Sequence, residues 1–149
     1  MKFEIVEDNF KKNDLDNIKL PTRATSGSNA YDFYSPTSLI IIHGEMVVVW
    51  TDIKVKLDEG KVLLLFPRSS IGIKKHIMLA NTTGVIDSDY YSNENNDGNI
   101  GLALYNYGKD NAIIEKGERV MQGLITSSYL CDNDNVTIKR KGGIGSSGC

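Results

Sequence analysis

This sequence has few cysteines, little net charge and no long apolar run, and each of these features argues against a class of protein. The 149 residues include two cysteines, Cys131 and Cys149, whose spacing forms neither a disulfide framework nor a metal site. That usage predicts a reducing, cytoplasmic setting. The formal net charge of −2 argues against a general binder of nucleic acid or of membrane surfaces. No apolar run approaches the length of about 20 residues that spans a membrane. Residues 1–10 carry acids where a secretory signal would be apolar.

Alternation of apolar and polar residues is abundant instead. Its period of two is typical of β-strands with one face in a core, and frequent Gly, Asn and Asp between the runs indicate turns. The length suits one core, so the sequence predicts a single all-β domain over 1–149, a sandwich or jelly roll. Lys54 and Lys56 are predicted to face solvent from their strand. The predicted strands lie at 46–50, 53–57, 62–66, 100–104 and 120–125, and those at 46–50 and 62–66 are apolar enough for burial on both faces.

One short helix is predicted after Pro67. Ser69 or Ser70 can cap its start, and its apolar stripe would consist of Ile73, Ile77 and Met78. The amides and hydroxyls at this helix start, together with the guanidinium of Arg68, would form an anion site, because helix N-termini attract negative charge and arginine matches phosphate oxygens. A capped helix beside a surface arginine is the simpler alternative.

The segment 84–90 places two carboxylates and a phenol between apolar runs. On a hairpin, alternate side chains share a face, so Asp87 and Asp89 would lie together while Ser88 points away. One acid could then take a proton while the other fixes the turn or meets a cation. An ordinary polar turn would use the same residue types, so this segment alone leaves both interpretations open.

Five segments in a fixed order connect these features. They are 24–32, 67–72, 84–90, 117–122 and 142–148, which read ATSGSNAYD, PRSSIG, GVIDSDY, GERVMQ and GGIGSSG. Together they resemble the five-motif pattern of the homotrimeric, all-β deoxyuridine triphosphatases (dUTP diphosphatases). The resemblance covers nearly the whole chain, and its departures from the pattern are familiar among Gram-positive bacterial and phage members.

The resemblance implies a fold, an assembly and a reaction. The implied fold is a jelly-roll-like distorted β-barrel with one short helix, assembled as a homotrimer with shared active sites. The tail over 132–149, flexible by composition, would be exchanged between subunits. The implied reaction is hydrolysis of dUTP to dUMP and pyrophosphate. Mg²⁺ is implied as cofactor, since a triphosphate carries about four negative charges and Mg²⁺ binds phosphate oxygens while keeping several waters.

The resemblance also implies roles for residues of the first four motifs. Asp87 would be the catalytic residue, a general base that positions the attacking water. Tyr90 would lie under the deoxyribose and leave no room for a 2′-hydroxyl. Backbone groups of 84–87 would read uracil. The implied substrate-binding residues outside the tail are Arg68, Ser69, Ser70, Asn81, Gly84, Val85, Ile86, Asp87, Tyr90 and Gln122.

The implied contacts of the tail are less regular. Ile144 stands where the family usually has an aromatic residue stacked on uracil. Counting back from Ile144 leaves open whether Lys139 or Arg140 contacts the γ-phosphate. The implied tail contacts are Arg140, Gly143, Ile144, Gly145 and Ser146.

Two further residues complete the implied site. Asp32, in the first motif, would orient the water shell of the metal ion, and a turn residue is the alternative. Arg119, in the fourth motif, would be structural and pair with Asp89.

Two alternatives to a dUTP hydrolase stay open. A dCTP deaminase-like enzyme would share the fold, but those enzymes favour a glutamate base, whereas this chain has Asp87 and Tyr90. A dUTP-gated switch that binds a regulatory protein partner would use the same site, with hydrolysis slow or secondary. Release of ammonia from dCTP would indicate the first, and dUTP-dependent binding of a partner would indicate the second.

Overall fold

The computed structural model describes residues 1–14, 16–138 and 140–143. Twelve strands and three short helical turns lie within these residues. The helical turns are Asp8–Phe10, Ser70–Lys74 and Ser88–Tyr90. The strands are β1 (Lys2–Ile5), β2 (Thr22–Arg23), β3 (Tyr31–Tyr34), β4 (Leu39–Ile41), β5 (Met46–Trp50), β6 (Ile53–Lys56), β7 (Lys61–Pro67), β8 (Ile77–Leu79), β9 (Gly84–Asp87), β10 (Gly101–Asn106), β11 (Ala112–Ile114) and β12 (Arg119–Ser127).

The strands form antiparallel sheets around one core. The largest sheet has the order β2-β3-β12-β7-β9, and a second sheet has the order β5-β10-β8. Two strand pairs, β1-β6 and β4-β11, complete the layers. Phe33, Leu63 and Leu65 of the first sheet share a buried cluster with Leu102 and Leu104 of the second. The prediction of an all-β, jelly-roll-like fold is therefore confirmed.

The predicted alternation is confirmed in β10 but is wrong in two other strands. Leu102 and Leu104 are fully buried, as expected. Lys54, predicted to face solvent, is buried because its ammonium lies 2.7 Å from the carboxylate of Asp97. Met46 is 54% exposed, so β5 is not buried on both faces; it is the outer strand of its sheet and pairs with β10.

The helix after Pro67 is shorter than predicted, and its predicted apolar stripe is wrong. The Ser70–Lys74 turn buries Ile71, whereas Ile73 is 72% exposed. His76 has a positive φ of 54°, which ends the helical turn, and Ile77 and Met78 belong to β8. The expected side-chain cap from Ser69 does not form a hydrogen bond.

The segment 84–90 is a strand followed by a 3₁₀ turn, so the hairpin prediction is wrong. Its strand, β9, pairs with β7 instead of with the strand that follows it in the chain. Gly84 lies against Leu65 so closely that an added Cβ would be 3.0 Å from the Leu65 Cβ. A glycine at this position therefore lets β9 approach β7.

The described part of the chain after Ser127 carries no strand or helix. Four large apolar side chains are exposed there: Tyr129, Leu130, Val136 and Ile138. Within the described residues, no helix is both long enough and apolar enough to cross a membrane.

Candidate active site

The outer edge of β9 forms one wall of a cavity of about 550 Å³, called the edge cavity below. β9 is the last strand of its sheet, with β7 as its strand partner among the described residues. The N–H and C=O groups on its other edge are therefore available to a ligand. The edge cavity is lined by Met46, Val48, Leu65, Leu79, Ala80, Asn81, Gly84, Val85, Ile86, Asp87, Tyr90, Gly101, Ala103, Arg140 and Gly143.

Tyr90 presents a fixed aromatic ring to the edge cavity. The residue is 7% exposed, and its hydroxyl donates to the carbonyl of Asn99 at 2.7 Å. Burial raises the pKa of this hydroxyl above its ordinary value, so the phenol stays protonated at neutral pH. Tyr91 does not line the edge cavity, and its hydroxyl donates to the Glu4 carboxylate at 2.7 Å. Tyr90, and not Tyr91, therefore lines the edge cavity.

Two carboxylates at the cavity hold one guanidinium group. Arg140 contacts Asp87 at 2.6 Å through Nη2 and Asp89 at 2.9 Å through Nε. The two acids thus lie on one side of the segment, as expected, although a 3₁₀ turn places them there. Asp89 pairs with Arg140, and Arg119 pairs with Asp32, so the predicted Arg119–Asp89 pair is wrong.

A second, basic cleft of about 540 Å³ lies beside β3 and β12 and is called the basic cleft below. Asp32, a buried residue of β3, pairs with two residues of the cleft lining, Arg68 at 2.9 Å and Arg119 at 3.1 Å. One carboxylate therefore orients two guanidinium groups and leaves a net positive charge. The basic cleft is lined by Lys19, Tyr34, Arg68, Ser70, Gly117, Glu118 and Arg119.

The structure brings Arg68 and Ser70 of the predicted anion site to the basic cleft. Ser70 lines it directly, and the Gln122 amide donates to the Pro67 carbonyl at 3.3 Å beside it. Gln122 is also paired in register with Asp32 across β12 and β3. Ser69 is exposed at the start of the helical turn and does not line the cleft.

Lys19 is a cleft residue that sequence reasoning missed. Its ammonium lies 3.7 Å from the centre of the Tyr34 ring, a cation–π contact that directs it over the cleft. Lys19 forms no ion pair with a carboxylate among the described residues. It lies outside the five motifs, so a pattern search could not find it. The sequence carried only a weak sign of this role, namely a lysine three residues before β2 and an aromatic residue, Tyr34, in β3.

The edge cavity and the basic cleft of one chain are far apart. Asp32 lies level with Phe66 of β7, and Asp87 lies level with Val62. Three inter-strand spacings of about 4.8 Å across the sheet and four residues of about 3.3 Å along the strands separate the two positions, or roughly 20 Å along the diagonal. A triphosphate, with three linked phosphorus atoms, is much shorter than this gap. The triphosphate alone is therefore too short to join Asp87 and Asp32 of the same chain.

The chemistry of the donors does not fit a metal ion held at Asp32. Both oxygens of Asp32 accept from guanidinium groups, which would repel a divalent cation. Within the described residues there is no cluster of three or more His, Cys, Asp or Glu side chains that could hold a metal ion. Asp32 thus positions Arg68 and Arg119, and its predicted role toward the metal's water shell finds no support in these contacts.

The predicted tail contacts are described in part. Arg140 lines the edge cavity of its own chain, and Gly143 lies against the Tyr90 ring, where an added Cβ would be 2.5 Å from Cε2. Lys139 and the predicted contacts at Ile144, Gly145 and Ser146 lie outside the described residues. The choice between Lys139 and Arg140 therefore stays open for the γ-phosphate.

The fold and the site define a class of protein, an all-β domain with a free strand edge, a buried tyrosine and a basic cleft suited to a nucleotide. Comparison with protein families is more specific, because the model of the dUTPase family matches residues 16–148. The chain belongs to the dUTPase family, and the resemblance found in its sequence is confirmed.

Similar proteins agree with this assignment. A deoxyuridine 5′-triphosphate nucleotidohydrolase from Lactococcus lactis is 38% identical over 88% of this chain and 89% of its own length. A nucleotidohydrolase of the same name from Escherichia phage T5 is 40% identical over 72% of each chain. The crystal structure of a dUTPase from Streptococcus mutans superimposes with a TM-score of 0.79 at 37% identity, over 89% of this chain and 100% of that one. These relatives favour neither the deaminase nor the binding-switch alternative, and a regulatory partner stays a prediction.

Proposed function

We propose that this chain hydrolyses dUTP to dUMP and pyrophosphate, as a dUTP diphosphatase. The observation that carries the proposal is the position of Asp87, whose carboxylate lies at the end of a free strand edge that walls a cavity of nucleoside size. Family membership supports the same conclusion. A reducing cytoplasm, the compartment that its cysteine usage suggests, is the proposed location.

Recognition of uracil would fall to the free edge of β9. A strand edge offers alternating N–H and C=O groups, which can match the donor and acceptors of uracil. Cytosine reverses that pattern at one edge and would leave buried polar groups unpaired, at about 1–3 kcal/mol for each group. Asn81 lines the same cavity and can add a side-chain contact.

Hydrolysis would begin with a water held by the Asp87 carboxylate. The water oxygen forms a bond to the α-phosphorus, the bond from that phosphorus to the bridging oxygen breaks, and the proton of the water passes to Asp87. Pyrophosphate leaves with the bridging oxygen. Because Arg140 pairs with Asp87, the bound triphosphate would have to draw the guanidinium away before Asp87 can act as a base.

Mg²⁺ would enter as part of the substrate. The residues of the basic cleft carry positive charge and suit phosphate oxygens rather than a metal ion. Magnesium is commonly held by phosphate oxygens and water in nucleotide sites, and its charge would offset that of the triphosphate. No step of the proposed reaction depends on a protein ligand to the metal.

A homotrimer with shared active sites would bring the two halves of the site together. The gap of roughly 20 Å between Asp87 and Asp32 supports a site in which one subunit gives the edge cavity and another gives the basic cleft. The exposed apolar side chains of Tyr129, Leu130 and Val136 support burial of the segment after β12 on a neighbouring subunit. In that assembly the neighbour's tail would take the contacts that segment 140–143 makes with its own chain.

The test of the proposed function is a comparison of nucleoside triphosphates in the presence of Mg²⁺. We expect release of pyrophosphate from dUTP, with kcat/KM lower by a factor of about 10⁴ for dCTP, because a site that hydrogen-bonds its substrate rejects a mismatched partner strongly. dTTP should be excluded by its methyl group and UTP by the Tyr90 ring. Equal turnover of dUTP and dCTP, or ammonia release from dCTP, would contradict the proposal.

Lys19 is expected to contribute to binding of the β- and γ-phosphates. Replacing Lys19 with glutamine should raise the dissociation constant of a non-hydrolysable dUTP analogue about 3- to 10-fold. The dissociation constant of dUMP should stay unchanged, because dUMP lacks those phosphates. Calorimetry with both ligands measures the difference.

A matched control is Lys12→Gln, which removes another exposed lysine from the N-terminal segment. It should leave both dissociation constants unchanged. An equal loss of dUMP and dUTP-analogue affinity in Lys19→Gln would show that the lysine acts on folding or on the cavity, and would exclude it from the phosphate site.

A further inference from the structure

We propose that the polar loop of residues 92–99 fixes the ring of Tyr90 and thereby sets the discrimination between deoxyribose and ribose, with Asn96 as the positioning residue. The inference rests on the proposed function and extends it to residues that lie outside the five motifs. It assigns a purpose to a loop whose polar composition otherwise predicts an exposed turn.

The hydroxyl of Tyr90 is held from two sides by this loop. It donates to the carbonyl of Asn99 at 2.7 Å and accepts from the Nδ2 of Asn96 at 2.7 Å. Both the proton and a lone pair of the oxygen are thus occupied. A ring tied at its far end cannot tilt without breaking these two bonds.

Asn96 is itself fixed by its neighbours. Its side-chain oxygen accepts from the Nδ2 of Asn93 at 2.7 Å and from the backbone N–H of Gly98 at 3.1 Å. Asn93 is buried, and its Nδ2 also donates to the backbone carbonyl of Tyr90 at 2.8 Å. The loop therefore holds the tyrosine by its backbone and by its hydroxyl.

The polar loop is anchored to the rest of the fold at its far end. The Asp97 carboxylate pairs with the buried ammonium of Lys54 at 2.7 Å and accepts from the N–H of Glu7 at 2.8 Å. Asn99 is fully buried and donates through Nδ2 to Asp52 at 2.9 Å. These contacts reach two other segments of the chain, so the loop is a rigid support.

The backbone of the polar loop is also adapted to close contact with Tyr90. Gly98 has a φ of +82°, and an added Cβ there would lie 2.8 Å from the Tyr90 carbonyl oxygen. A larger residue would push the loop away from the tyrosine. The glycine at this position therefore keeps Asn96 within hydrogen-bond distance of the hydroxyl.

The selectivity for deoxyribose over ribose follows from the fixed position of the Tyr90 ring. A 2′-hydroxyl packed against the Tyr90 ring needs the ring to move. While Asn96 and Asn99 hold the hydroxyl, that movement breaks their hydrogen bonds, and a ribonucleotide is rejected. When one of these hydrogen bonds is removed, the ring can move and the rejection of the ribonucleotide weakens. Binding of deoxyribose is unaffected, because it needs no movement of the ring.

The test is the ratio of kcat/KM for UTP to that for dUTP in Asn96→Ala. We expect the ratio to rise about 3- to 10-fold, the range of one net hydrogen bond. Most of the change should lie in a lower KM for UTP, with kcat for dUTP little altered. Glu94→Ala, an exposed change in the same loop, should leave the ratio unchanged.

A double-mutant cycle with Tyr90→Phe separates positioning from general support. Phenylalanine keeps the ring and removes the hydroxyl, so Tyr90→Phe should raise the ratio by itself. In the Tyr90→Phe background, Asn96→Ala should add nothing to the ratio, because the bond it would break is already absent. Additive effects on the ratio would overturn the proposal.

The inference can still be tested if Asn96→Ala is unstable or if the wild type is inactive. If Asn96→Ala does not fold, Tyr90→Phe carries the test alone, and an unchanged ratio in that variant overturns the inference. If the wild type does not hydrolyse dUTP, the proposed function fails, and the dissociation constants of dUMP and UMP in the same variants test the positioning role directly. An unchanged UMP-to-dUMP ratio would overturn it there as well.

Discussion

Replacing Asp87 with asparagine is expected to lower kcat for dUTP by about 10²- to 10⁴-fold, the usual contribution of a positioned general base. Asparagine keeps the size of the side chain and one acceptor oxygen but cannot take a proton from water. It also removes the negative charge that pairs with Arg140 at 2.6 Å. Binding of the substrate should therefore be retained or become tighter while turnover is lost.

The matched control is Asp89→Asn, which removes the other carboxylate that contacts Arg140, at 2.9 Å. If Asp87 is the base, Asp89→Asn should lower kcat by less than about tenfold, since it acts on the guanidinium alone. Steady-state kinetics and the dissociation constant of a non-hydrolysable dUTP analogue, measured for both variants, separate the two roles. Loss of turnover in Asp89→Asn with activity retained in Asp87→Asn would reverse the assignment.

Local pattern was enough to predict the type of fold and much of the edge cavity. The alternation of Ile100, Leu102 and Leu104 depends only on the period of a strand with one buried face, and all three are fully buried. Asp87 and Tyr90 follow one another so closely in the chain that a local motif keeps them at one site. The cavity contains both residues.

What the sequence could not predict depends on partners that are distant in the chain. Lys54 was expected in solvent because lysine is rarely buried, yet Asp97, 43 residues away, neutralises it. The predicted Arg119–Asp89 pair failed for the same reason, since the pairing of β3 with β12 lets the Arg119 side chain reach Asp32 at 3.1 Å instead. A sequence pattern shows which residues carry charge but not which opposite charge the sheet brings to each of them.

The polar loop shows a second limit of pattern reasoning. A run of Ser, Asn, Glu, Asp and Gly is typical of an exposed connection, but Asn93, Asp97 and Asn99 are buried. Their burial is possible because each polar group finds a partner, so desolvation is offset by hydrogen bonds. Hydrophobicity alone gives no sign of such a network.

The strand register separates the edge cavity from the basic cleft within one chain. We therefore expect two inactive variants to restore activity when they are combined in one oligomer. Asp87→Asn disables the edge cavity of its own subunit, and Arg68→Gln disables the basic cleft of its own subunit. If a nucleotide lies between subunits, a mixed trimer contains a site with an intact Asp87 from one chain and an intact Arg68 from its neighbour. Two variants that both disable the edge cavity, such as Asp87→Asn and Tyr90→Ala, should not restore activity when combined.

The size of the restored activity follows if the chain forms the proposed ring of three subunits. With random assembly at equal amounts, about three quarters of the trimers are mixed, and about one site in three of each mixed trimer is intact. The co-expressed pair should therefore show about a quarter of wild-type activity, while each variant alone is nearly inactive. Different affinity tags on the two variants allow the mixed trimers to be isolated.

This complementation measurement tests most directly the central claim that one nucleotide is held by the β9 edge of one chain and the basic cleft of another. The account predicts activity near a quarter of the wild-type value for Asp87→Asn mixed with Arg68→Gln, and none for Asp87→Asn mixed with Tyr90→Ala. The claim would be contradicted if isolated mixed oligomers of Asp87→Asn and Arg68→Gln were no more active than either variant alone.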